Sequence, residues 1–159
     1  MGVDRKLSKC LALALFALAG CGSSEPFDYV PVSGKVTYED GSLIPVRVRV
    51  IFTSQQPPVD GKRFPRPASA LPDDQGYFPV VSSLRYDDGI VPGKNKVSII
   101  YEGKQPERFV PREYSSPATT PLEVDSEDSP FEIKIKKPDN VPQQAPAEQD
   151  ALSSGSARK

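Results

Sequence analysis

The chain of 159 residues has no histidine and no tryptophan, one methionine and two cysteines. Without imidazole it lacks the commonest general base and the commonest transition-metal ligand. An excess of charge of either sign is also missing. Twenty basic residues face 21 acidic ones for a net charge of −1, which argues against a nucleic-acid binder with its basic patch or stripe. Helical signal is equally scarce: beyond residue 21 no segment keeps a 3.6-residue apolar period, and the 18 prolines interrupt every candidate. Long hydrophobic runs are absent too. The one compact apolar run, residues 10–19, is shorter than the roughly 20 residues needed to cross a bilayer.

That run follows Arg5, Lys6 and Lys9 and ends in Leu18-Ala19-Gly20-Cys21, a pattern that resembles the lipobox of bacterial lipoproteins. The resemblance implies that residues 1–20 are cleaved between Gly20 and Cys21, and that the Cys21 thiol carries diacylglycerol in a thioether. Small Ala19 and Gly20 suit the peptidase, and only a thiol accepts that bond. An ordinary secretory signal with an incidental cysteine is the alternative. Loss of residues 1–20, which carry a net +2 from three basic residues against Asp4, would move the charge from −1 to −3. Cys10 would leave with the signal and Cys21 would be consumed by lipid. No disulfide and no zinc site of His or Cys type is then expected, so an apolar core alone must hold the fold. No metal or other cofactor is expected either.

Downstream, residues 21–28 read as a small, polar tether. Short runs of period two then alternate with turn signals. Val32, Gly34, Val36 and Tyr38 share one face before the Glu39-Asp40-Gly41 turn. Val46, Val48, Val50 and Phe52 alternate with Arg47, Arg49 and Ile51. Further runs are expected at 78–81, 96–101, 122–124 and 131–136. Such runs predict an all-β sandwich over 29–137. Three stretches are expected outside it: the loop 54–72, the connection 105–121 and a disordered tail over 138–159, poor in large apolar residues.

The order of these signatures is similar to that of carboxypeptidase regulatory-like domains. Val32-Ser33-Gly34-Lys35-Val36-Thr37-Tyr38 is followed by Asp40-Gly41, then by Asp74-Gln75-Gly76-Tyr77-Phe78. Asp88-Gly89-Ile90-Val91-Pro92-Gly93-Lys94-Asn95-Lys96-Val97 completes the series, with Asn95 where the family usually has an aromatic residue. Val110-Pro111-Arg112-Glu113-Tyr114 and Thr119-Thr120-Pro121-Leu122 resemble segments of small planctomycete-type lipoproteins. The resemblance spans about 32–137. It implies a transthyretin-like (prealbumin-like) sandwich of seven to eight strands. Hydrolases of that fold that act on hydroxyisourate use histidines, which this chain lacks.

Three groups of residues invite a functional reading. The acidic pairs Glu39-Asp40, Asp73-Asp74 and Asp87-Asp88 each precede a glycine or lie close to one. Their alternatives are a calcium site and ordinary turn chemistry, and none has the EF-hand loop spacing. Lys62, Arg63, Phe64 and Arg66 form a basic loop stiffened by proline, either a solvated crossover or a binding loop for an anionic partner. Tyr101 and Tyr114 are expected to be packed. The expected function is a non-enzymatic envelope protein, exported and lipid-anchored on the periplasmic or surface face of a membrane. Its role would be structural or protein-interacting, with an envelope protein as partner and no nucleic acid. The alternatives are a carbohydrate- or peptidoglycan-binding lipoprotein using the 62–66 loop to hold a cell-wall glycan, and an envelope hydrolase.

Overall fold

The computed structural model describes residues 25–142; the expected signal segment 1–20, Gly20 and Cys21 with them, and residues 143–159 of the expected tail lie outside the described residues. Apolar alternation builds β1 (Gly34–Tyr38), β2 (Arg49–Ser54), β4 (Tyr77–Phe78), β5 (Lys94–Ile100) and β7 (Phe131–Ile135), joined by β3 (Ala68–Ala70) and β6 (Glu123–Asp125). Helix is limited, among the described residues, to 3-10 turns at Pro106–Arg108, Arg112–Ser115 and Ser126–Asp128. The domain is all-β.

The strands form two sheets, ordered β4-β1-β7 and β3-β2-β5-β6. All pairings are antiparallel except β1 with β7. β7 shows the period of two in its cleanest form: Phe131, Ile133 and Ile135 are buried, while Glu132 and Lys134 face water. From the other sheet Phe52, 1 % exposed, places its ring 6.0 Å from that of Phe78 and 5.7 Å from that of Phe131. These tilted pairs join the sheets, and each fully buried aromatic contributes about 1.5–3 kcal/mol. Gly34 lets the rings close. A Cβ there would lie 2.6 Å from Phe78 Cζ and 2.9 Å from Phe131 Cβ.

The register sorts the loops into two ends. Gly34 lies opposite Phe78 and Phe131, and Ser54 lies opposite Asn95. The incoming segment 25–33 therefore shares the proximal end with loops 55–67, 79–93 and 126–130. Loops 39–48, 71–76 and 101–115 lie at the distal end.

Two stretches expected outside the sandwich belong to it. Ala68 and Ala70 of the 54–72 loop pair with Phe52 and Val50 as an edge strand. Small side chains between prolines carry no apolar signature, so this strand is silent in the sequence. The 105–121 connection closes the distal end, burying Phe109, Val110, Tyr114 and Thr120. Tyr38 Oη donates to the Phe109 carbonyl at 2.9 Å, and Tyr114 Oη accepts from the Lys136 N–H at 3.2 Å. Tyr101 meets Phe109 edge-on at 5.2 Å. Both tyrosines pack, as their sequence context predicts. Burial, aided by the charge of Asp40, pushes the Tyr38 phenol up to about 12. The strand expected over 78–81 stops at Phe78, because Pro79 has no N–H for the ladder.

Asn95 is buried with its side-chain amide engaged. It is 1 % exposed, and its Nδ2 donates to the carbonyls of Val91 (3.0 Å) and Gly93 (2.8 Å). An aromatic ring would fill that space without satisfying those carbonyls. Asn95→Asp keeps the shape but turns a donor into an acceptor facing two carbonyls. It should cost about 3 kcal/mol, read as a lower urea midpoint at unchanged slope.

Candidate functional site

The basic loop begins as a small hairpin. Val59 and Arg63 exchange backbone hydrogen bonds at 2.8 and 3.0 Å, across an Asp60-Gly61 turn in which both residues have positive φ (56° and 64°). Asp-Gly is a dipeptide that tolerates this geometry. Arg63 folds back on Asp60, with Nη2 at 2.6 Å from Oδ2. Lys62, Phe64 and Arg66 project into water, Phe64 with 68 % of its surface exposed. The four expected loop residues thus share one exposed segment, but one of its three cations is already answered from within.

A second loop, residues 82–88, runs beside it. Ser69 and Ser82 exchange backbone hydrogen bonds at 2.8 and 3.0 Å, and Ser83 Oγ donates to the carbonyls of Arg66 (3.4 Å) and Pro67 (3.3 Å). The half-buried Asp88 carboxylate organises this loop. It accepts the N–H groups of Ser83 at 2.6 Å and of Leu84 and Arg85 at 2.8 Å each. At the tip Leu84 is 40 % exposed and Tyr86 83 % exposed. Sequence reasoning passed over these two. A surface aromatic in a loop belongs to no periodic pattern, and only its address in the fold makes it conspicuous.

The other acidic turns also employ their carboxylates. Asp73 Oδ1 accepts the N–H groups of Gln75 (2.8 Å) and Tyr77 (2.9 Å). Asp40 takes Lys137 Nζ at 2.8 Å and the Ser42 N–H at 2.9 Å, and the lysine and serine together hold its carboxyl well below the usual range. Asp40 and Asp73 lie in distal loops and Asp88 in a proximal one, so the fold does not gather them. Among the described residues no group of three His, Cys, Asp or Glu side chains is placed to hold a metal ion.

At the distal end a cleft of about 620 Å³ lies between β5 and the closing segment, lined by Ile99, Tyr101, Pro106, Glu107, Val110 and Arg112 among others. Its walls are largely apolar.

One surface cluster has a sharp pH signature. Glu123 on β6 receives Gln55 Nε2 at 2.8 Å, Lys94 Nζ at 3.1 Å and Lys96 Nζ at 3.3 Å. Those partners lower its carboxyl from 4.5 to about 2. A carboxyl depressed by folding stabilises fully above its unfolded pKa, and that contribution fades as pH falls through the folded one. The gap in melting temperature between the protein and Glu123→Gln should therefore be widest above pH 4.5 and close towards about pH 2.

Compared with known proteins, the chain matches no family model, no curated protein and no solved structure. Of the described residues, no helix is long and apolar enough to cross a membrane.

Proposed function

We propose that this chain is the precursor of a lipid-anchored bacterial envelope protein, a non-enzymatic module held at the membrane through Cys21. The observation that carries the reading is Leu18-Ala19-Gly20-Cys21 behind a cationic segment and a ten-residue apolar run, a few residues before an all-β domain begins. Two or more acyl chains, at about 0.8 kcal/mol per buried methylene, give a stable anchor where one does not. The absence of histidine from the sequence and the engagement of Asp40, Asp73 and Asp88 in turns favour a binding or structural role over hydrolysis.

The domain belongs, on this reading, with the transthyretin-like carboxypeptidase regulatory-like sandwiches. Seven strands in two facing sheets support it, as does the placement of two motifs. Asp74-Gln75-Gly76-Tyr77-Phe78 leads into β4, and the Pro92-Gly93 turn opens β5. A glycan-binding role for residues 62–66 is less favoured, because Arg63 is paired with Asp60.

The test is mass spectrometry of the mature N-terminus with membrane fractionation. The protein should begin at a diacylglyceryl-modified Cys21 and sediment with membranes. Cys21→Ser should carry no lipid and lose stable anchoring. A mature chain that starts elsewhere, or a Cys21 free of lipid, rejects the proposal.

A further inference from the structure

We infer that Phe64, Leu84 and Tyr86 form a foot that seats the proximal end of the domain in the interface of the phospholipid bilayer. The inference rests on the lipid-anchor reading and adds an orientation to it.

Reach is the first argument. Cys21 and Glu25 are four peptide steps apart, a span of at most about 14 Å even when fully extended. The segment beyond Glu25 is fixed to the proximal end. Phe27 is 7 % exposed, and Val30 and Ile90 exchange backbone hydrogen bonds at 2.9 and 3.0 Å. A lipid on Cys21 therefore brings this end, and not the distal one, against the headgroups.

Surface chemistry is the second argument. Phe64, Leu84 and Tyr86 are all exposed at that end, on two loops that are joined through Ser69, Ser82 and Ser83 and braced by Asp88. Water gains nothing from such side chains. An interface some 5–10 Å deep accepts them, with tyrosine at headgroup level and Lys62, Arg66 and Arg85 flanking the apolar tips. Charge is not the driving term, because Arg63 is answered by Asp60, and Asp87 and Asp88 lie in the second loop. The seating should therefore survive salt.

The experiment uses the full chain processed in a bacterial host, purified and reconstituted in phospholipid vesicles. Arg85→Cys places a nitroxide between Leu84 and Tyr86, and Lys104→Cys places one at the distal end. Cys21 in thioether linkage takes no label, and mass spectrometry verifies its lipid first. The ratio of collisions with oxygen to collisions with an aqueous nickel reagent should be several-fold higher at position 85 than at 104. It should persist in about 1 M salt, where screening acts within about 3 Å. With Phe64→Ser, Leu84→Ser and Tyr86→Ser together it should fall to the value at 104. Equal ratios at the two positions on a lipidated protein overturn the foot and leave the anchor standing. Loss of the difference in high salt overturns the apolar seating, and a Cys21 without lipid overturns both.

Discussion

Replacing Phe52 by alanine is expected to lower the unfolding free energy by about 3–5 kcal/mol, the range for deleting a core aromatic. A domain of this size has roughly 5–15 kcal/mol in all, so much of its stability rests on this ring. The reason is positional. Phe52 belongs to the four-stranded sheet, and both of its ring neighbours, Phe78 and Phe131, belong to the three-stranded one. Deleting it leaves a cavity between layers that the strand ladders hold apart. No covalent link stands in reserve, because both cysteines of the chain precede residue 25. A urea titration followed by far-UV circular dichroism should show the midpoint falling sharply at constant slope. A shift equivalent to less than about 1 kcal/mol would mean that the sheets are joined mainly elsewhere.

The second large effect is expected at Gly89. Its φ is +91°, and a Cβ there would stand 1.8 Å from the Val30 carbonyl oxygen. Alanine must adopt an unfavourable backbone conformation, at about 1–3 kcal/mol, and overpacking adds about as much again. The chain has a cheaper response than unfolding, which is to release the segment 25–31. Limited proteolysis of Gly89→Ala should cut within that segment while the sandwich survives, and the amide of Val30 should lose its protection from hydrogen exchange. Cleavage spread evenly over the domain would show that the segment and the sandwich unfold together.

Legibility in the sequence followed the periodic signal. β1, β2, β5 and β7 present side chains alternately to core and water or across the sheet, so Val36, Phe52, Val97 and Ile133 announce themselves. Their limits drifted where hydrogen bonding and burial part company. Val46 and Val48 are buried, but the ladder begins only at Arg49. β3 was illegible because Ala68 and Ala70 bury little surface. The distal closure was illegible because Phe109, Val110 and Tyr114 fill a hole from a 3-10 path that has no repeat. At the candidate site the exposed 62–66 loop was visible as composition. Its partner loop was not, since Leu84 and Tyr86 acquire meaning only when Ser82 and Ser83 tie them beside Arg66 and Pro67. Asn95 drew notice in the sequence only through a resemblance, and its two carbonyl partners are visible only in the fold.

The sheet order has a bearing on crowding. Three of the four sheet margins are strands of only two or three residues: β4, β3 and β6. The fourth, β7, offers a five-residue rim, with Glu132 and Lys134 along its outer side and Pro130 and Pro138 around it. Unpaired backbone on a long flat rim invites a second chain to add on, and brevity, charge and proline all discourage it. On the lipid-anchor reading the molecules are confined to a surface, where they meet one another far more often than they would free in solution. A sandwich with such clipped margins can be packed densely side by side and still remain a set of separate units.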